Sequence, residues 1–236
     1  MCTVSFLPLE NDNFILTSNR DETPLRKTIS PKIYQENDVE LLYPKDAFAG
    51  GTWIGASNRK RLVCLLNGAF EKHHRKEFYR KSRGIIVTEL LAVEDAVSEI
   101  HQTHFLDIEP FTLVLIDFKK ELKVFELIWD GEKKHFQQLD LTPKIWSSAT
   151  LYNQEMTSER EVWFAEWLQE NKVFSQDKIL TFHQDATKGT QEIALKMKRT
   201  FVETVSITSI KKRDKILKMT YLDLLDDAVM QVQMKI

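Results

Sequence analysis

The sequence predicts an α+β protein made of antiparallel sheets with helices gathered on their outer faces. Three observations carry this. Strand-like and helix-like stretches come in blocks (strands, helices, strands, helices, strands) and lack the strict alternation that makes a parallel doubly wound sheet. The hydrophobic period lengthens from strand-like to helix-like near residue 82 and reverts near residue 111. The 236 residues are 42% hydrophobic with only seven Gly and six Pro, enough apolar material for one sizeable core and too little Gly and Pro for a fibrous or disordered chain. A single domain over 1–236 follows, without repeat or linker.

Taken in order, β-branched and aromatic runs at 2 to 7 and 14 to 18 pair across Glu10-Asn11-Asp12-Asn13 as an N-terminal hairpin. Residues 26 to 48 read as irregular. Short strands are expected at 52 to 56 and 62 to 67, on either side of the polar turn Ser57-Asn58-Arg59-Lys60. Ile85, Ile86, Leu90 and Leu91, then Val93, Ala96, Val97 and Ile100, recur at helical spacing and predict two helices before residue 104. Extended runs resume at 111 to 116 and 122 to 129, the second closed by the turn signal Asp130-Gly131, and continue at about 134 to 140 and 144 to 150. Ser158 followed by Glu161 is a capping-box pattern and marks a helix start, with Trp163, Phe164, Trp167 and Leu168 on one face as core. A further helix over about 176 to 184 precedes strands at 201 to 210 and 215 to 224, joined by Lys211-Lys212-Arg213-Asp214.

Charge excludes some functions. With 33 Lys and Arg against 35 Asp and Glu, the net charge of −2 gives no global field for nucleic acid, which is not expected as a partner. No apolar run approaches the roughly 20 residues of a bilayer span. The first ten residues lack the basic start and long apolar stretch of a secretory signal, so a cytoplasmic, reducing location is expected, with Cys2 and Cys64 as thiols. His101, His104, His135 and His183 are dispersed without ligand spacing, and no metal site is expected. Residues 71 to 83 carry six Lys or Arg against Glu71 and Glu77 and include His73-His74. That stretch is either a solvated loop or a patch for an anionic ligand.

Three clusters could carry chemistry. Removal of Met1 would give Cys2 both a thiol and a free α-amine, groups that titrate near 8.5 and near 7.7 to 8.0 in reference peptides, so one residue would supply nucleophile and base. Taken alone, Cys2 reads first as a small residue opening an edge strand. Ser18-Asn19-Arg20-Asp21-Glu22 ends the strand that pairs with it: Asp21 could fix the amine or thiol, Arg20 could favour thiolate, and Asn19 could brace the turn, or these charges could face water at a strand-to-turn junction. Gly50-Gly51-Thr52-Trp53-Ile54-Gly55 concentrates glycines where backbone approaches closely, either to present N–H donors or to make a tight turn. Asn67-Gly68 could be a hairpin turn, or Asn67 could donate to an oxyanion.

Together, Met-Cys-Thr at the start, Ser-Asn-Arg-Asp-Glu at 18 to 22, Gly-Gly-Thr-Trp-Ile-Gly at 50 to 55 and Leu-Leu-Asn-Gly at 65 to 68 resemble the NRDE family, the transport and Golgi organisation type. The spacing from Cys2 to Asp21 is also similar to that of choloylglycine hydrolases and penicillin V acylases. This resemblance implies a four-layer αββα sandwich of the N-terminal-nucleophile hydrolase kind. It implies Cys2 as nucleophile, Asp21 as orienting carboxylate, Asn67 as oxyanion donor and Arg20 as a signature residue of the site. Substrate contacts are expected from Asn19, Gly51, Thr52, Trp53 and Ser148. The chain departs from the pattern at two places. Ser148 stands where the family usually has an asparagine, and the distal arginine of the acylases has no clear counterpart: Val205 stands at the nearest NRDE-aligned place, with Arg199 a few residues earlier. The activity implied is cleavage of a non-peptide C–N amide bond. The alternative, from proposals about the family, is a carrier of small molecules such as haem, with no resident cofactor implied by either.

Overall fold

The computed structural model describes residues 3–236, so the assignment of Cys2 lies outside the described residues. The chain opens with β1 (Thr3–Pro8) and β2 (Phe14–Glu22), a hairpin turned by Asn11 and Asp12 at φ 57° and 55°. Asn and Asp are the non-glycine residues that best tolerate that left-handed region. Next come β3 (Thr28–Glu36), β4 (Val39–Asp46), β5 (Ile54–Ser57) and β6 (Arg61–Asn67), then helices α1 (Arg83–Ala92) and α2 (Ala96–Gln102). Strands β7 (Phe111–Asp117), β8 (Lys123–Trp129), β9 (Lys134–Leu139) and β10 (Lys144–Ser147) lead to α3 (Gln154–Glu170) and α4 (Gln176–His183). The chain closes with β11 (Glu203–Arg213), β12 (Ile216–Asp223) and β13 (Ala228–Lys235).

These strands form two antiparallel sheets, ordered β10-β1-β2-β11-β12-β13 and β3-β4-β5-β6-β7-β8-β9. Strand alternation then builds the layers. Val4, Phe6, Phe14 and Leu16 point into the core between the sheets, where they join Leu62, Cys64, Val114 and Ile116. The intervening Leu7 and Ile15 face the other way and pack under Phe164 and Trp167 of α3 and Ile179 and Phe182 of α4. On the far side Ile86, Val87, Leu90 and Leu91 of α1 and Ile100 of α2 cover the seven-stranded sheet. The result is helix, sheet, sheet, helix.

Three expectations need correction. Residues 26 to 48 are a hairpin, β3 with β4, turned at Asn37 with φ 55°. β3 lies at the sheet edge and is largely exposed, so its hydrophobic signal is weak, and Pro31 sits within a break in its register. The helix placed at Ser158 starts earlier, because Asn153 caps it by accepting from the Met156 amide at 2.9 Å. The C-terminal strand β13 was not anticipated, since most of its side chains are exposed and follow no clean alternation. The stripe on α3 is core, as expected: Phe164 and Trp167 stack with rings 6.1 Å apart.

Candidate active site

The two-residue period of β2 divides the Ser18–Glu22 motif between two faces. Asn19 and Asp21 look toward the α3 and α4 layer. Ser18 and Arg20 look toward the other sheet. Neighbours in sequence therefore serve different surroundings.

On the helical side Asp21 is buried at the end of β2 and is held at both oxygens. The Thr204 hydroxyl donates to Oδ1 at 2.7 Å and the Tyr152 hydroxyl donates to Oδ2 at 2.9 Å. Thr204 comes from β11, which pairs with β2 in the register Thr204↔Asp21, and a break in that register follows immediately at Ser206. Tyr152 follows β10, which flanks β1 on its other side. Two other segments thus converge on the carboxylate that β2 carries. β1 begins beside it, with Thr3 opposite Asn19 on β2 and opposite Ser147 on β10.

Asn19 belongs to a different buried cluster. Its Nδ2 donates to the carbonyls of His183 and Leu195 at 3.0 and 2.7 Å, so its Oδ1 is the acceptor for His183 Nδ1 at 2.6 Å. That fixes the tautomer. Nδ1 of His183 carries the proton, Nε2 accepts, and the Ser5 hydroxyl donates to it at 2.7 Å. Burial, followed by the nearby Arg160 charge, pushes the His183 pKa down to about 3. A serine, a neutral histidine and an asparagine here lock β1 and β2 to the helices, and all three are sealed from solvent.

On the opposite face Arg20 donates to Asp46 Oδ2 at 3.0 Å and to the Arg26 carbonyl at 2.9 Å, and its guanidinium lies 4.7 Å from the Trp53 ring. Asp46 also pairs with Arg26 at 2.8 Å and accepts the amides of Phe48 and Ala49 at 3.0 and 2.9 Å. Burial works against its charge, but the Ala49 amide, Arg26, Arg20 and the Phe48 amide outweigh it and hold the carboxyl below its ordinary range. The clamp shapes the loop into Gly51, Thr52 and Trp53. With Arg20 and Asn67 these residues line a cavity of about 90 Å³, which α1 closes through Ser82, Arg83 and Gly84. Thr52 Oγ1 sits 2.6 Å from the Pro44 carbonyl and 2.9 Å from that of Ile54, and its amide donates to Gly84. Trp53 Nε1 is buried without a hydrogen-bond partner among the described residues.

Ser148 joins the two sheets. Its hydroxyl donates to the Asn67 carbonyl at 2.7 Å, and Thr150 Oγ1 lies 2.9 Å from it. Next to this bridge opens a groove of about 980 Å³, whose wall includes Phe70, Ile128, Trp146, Tyr152, Met156 and Arg199. The structure therefore gathers Arg20, Gly51, Thr52, Trp53 and Asn67 around one cavity. Asp21 stands on the far face of β2 and Asn19 in the sealed cluster, while Ser148 lies between cavity and groove. Cys64 is buried and its thiol is pushed up to about 12, chiefly by burial, which makes it inert.

The profile of the Transport and Golgi organisation 2 family matches residues 1–222. The chain belongs to that family. No curated protein matches it. Among solved structures it is similar to a Caenorhabditis elegans N-acylethanolamine-hydrolyzing acid amidase ortholog, with 14% identity over 89% of this chain and 92% of that one and a TM-score of 0.62. A penicillin V acylase from Agrobacterium tumefaciens matches at 11% identity over 99% of this chain and 86% of that one, TM-score 0.52. A conjugated bile acid hydrolase from Clostridium perfringens matches at 10% identity over 100% and 97%, TM-score 0.52. Identities this low show the fold alone: this chain has the two-sheet architecture of these N-terminal-nucleophile hydrolases.

In this family member sequence reasoning missed Tyr152, Thr204, Arg160, Asp46 and His183. Each reaches the site from a distant part of the chain, so no local motif marks it. Val205, where the resemblance set the counterpart of the acylases' distal arginine, is buried. Arg199 instead donates to the Leu151 carbonyl at 2.9 Å and lies 5.4 Å from the Tyr152 ring. His73 is bonded to Glu109 at 3.2 Å.

Proposed function

We propose that the chain, once Met1 is removed, is an N-terminal cysteine hydrolase acting on a non-peptide C–N amide bond. The observation that carries this reading is Asp21: a buried carboxylate held by hydroxyls from two other segments, on the strand paired with β1, whose first residue, Thr3, follows Cys2 in the sequence. The Cys2 thiolate attacks the carbonyl carbon, and the α-amine takes the thiol proton and returns it to the leaving nitrogen. Water then cleaves the thioester. Asn67 donates to the tetrahedral oxyanion, and Arg20 acts by holding the Gly51–Trp53 wall of the cavity. A cytoplasmic, reducing setting keeps the thiol available.

The test is a panel of small acyl amides assayed with wild type, Cys2→Ala and Asn67→Ala. Loss of one oxyanion donor costs about 10²- to 10³-fold in kcat, so Asn67→Ala should turn over that much more slowly while remaining folded. Cys2→Ala should be inactive. Full activity in Cys2→Ala would refute the mechanism.

One observation favours a second reading, carriage of a small molecule such as haem. The groove beside Ser148 is as large as typical ligand pockets, and its wall mixes apolar side chains with Lys72, Lys144 and Arg199 and with Glu71, Glu126 and Glu161, Lys144 lying 3.5 Å from Glu126. Neither His73 nor His74 lines it. Haem there would be held by apolar contact and by pairing of its propionates with these cations, not by histidine ligation. Titration with haemin separates the readings: a saturable absorbance change near equimolar haemin supports carriage, and its absence counts against it.

A further inference from the structure

Arg160, on α3, is fully buried, and among the described residues its guanidinium donates to neutral acceptors. Nε donates to the Ile193 carbonyl at 3.0 Å, and Nη2 donates to the Ala194 carbonyl at 2.6 Å and to the Tyr152 hydroxyl at 3.0 Å. Nη1 donates to the Thr3 hydroxyl. The guanidinium also lies 3.7 Å from the centre of the Tyr152 ring. A buried cation satisfied among the described residues by carbonyls and hydroxyls is expensive, and a hydrophobic side chain would fill the same space at lower cost. Its position offers a reason for that cost. The hydroxyl it donates to is the one that donates to Asp21, and Thr3 is the residue that follows Cys2 in the chain.

We propose that Arg160 is a positioning residue for the N-terminal nucleophile, acting on Asp21 through the Tyr152 hydroxyl and on the start of β1 through Thr3. The proposal rests on the reading of Cys2 as nucleophile and extends the site into the helical layer. Tyr152 can donate only one proton, so accepting from Arg160 leaves that proton for Asp21 and sets the direction of the chain of bonds. The Arg160 charge disperses negative charge on Asp21 and disfavours a second cation nearby, which keeps the α-amine neutral and able to accept the thiol proton. Among the described residues the other charged or titratable groups facing this spot are Asp21 from β2, His183 from α4, held neutral, and Arg199 over the Tyr152 ring.

The test needs no substrate. Cys2 in the full chain is alkylated with iodoacetamide across pH 5 to 9 and its labelling followed by peptide mass, with buried Cys64 as the unreactive internal control. Arg160→Met should slow Cys2 alkylation at pH 7 about tenfold, Arg160→Lys should restore most of the rate, and Tyr152→Phe should slow it less than Arg160→Met but in the same direction. A purely structural role would lower the melting temperature without moving the alkylation profile. If Arg160→Met does not fold, Tyr152→Phe decides, because it removes a single hydroxyl and keeps the charge. Wild-type profiles in the folded variants would overturn the proposal. A shifted profile in a protein that cleaves no amide would sink the hydrolase reading and leave this one standing.

Discussion

At His183 the ring is neutral because the fold gives it no room to be otherwise, and this has a pH signature. The unfolded state takes up a proton below about 6.5, while the folded state resists until about 3, so this histidine's contribution is complete above 6.5 and is lost as pH falls toward 3. Through that window it should contribute a slope of roughly 1.4 kcal/mol per pH unit. Urea denaturation at a series of pH values should show wild type losing stability from pH 6.5 to 4.5 and His183→Gln, less stable at neutrality, losing it more gradually. Equal slopes would contradict the buried neutral assignment. Asp46 acts lower: its depressed carboxyl stabilises the clamp above the unfolded-state value and is lost as pH drops through its folded-state value. At this scale the sequence made Asp21 and Asn67 visible through motif spacing. Tyr152, Arg160 and His183 were invisible, because each is chemically ordinary until folding brings it across more than 100 positions to β1 and β2.

The contact between the β4–β5 loop and the start of α1 depends on two glycines for different reasons. A Cβ on Gly51 would stand 2.4 Å from the Gly84 carbonyl carbon, backbone against backbone, where nothing can yield cheaply. Gly50 has φ +74° and nothing within 4 Å of its would-be Cβ. Gly51→Ala should therefore cost about 3 kcal/mol or more and open the cavity, whereas Gly50→Ala should cost only about 1 kcal/mol, the strain of the left-handed backbone. Thermal melts of the two variants check this, and a similar loss in both would contradict the close packing. The glycine cluster announced a close approach but not its partner. Elements with a buried face, such as β6, β7 and α1, were legible from their period. The mostly exposed β3 and β13 were not, because pairing with a neighbouring strand, not hydrophobic alternation, makes them strands.

For the molecule as a whole, the block order of strands and helices gave the antiparallel α+β class, and the family resemblance gave the layering now seen in the two sheets and their helical covers. Neither could show that the Ser18–Glu22 motif would face two ways, with Arg20 building the wall of a cavity and Asp21 facing the helices. That division assigns the outer layers unequal work: α1 closes the cavity, while α3 supplies the cation behind the carboxylate. The central claim is that such a frame exists to hold a free aminothiol, and the most direct measurement is the intact mass of the protein as its own cells make it. The account predicts a mass lacking Met1, with a single alkylation at Cys2 on mild treatment of the native protein. A mass that retains methionine would contradict it, because the nitrogen of Cys2 would then be an amide whose delocalised lone pair cannot accept the thiol proton.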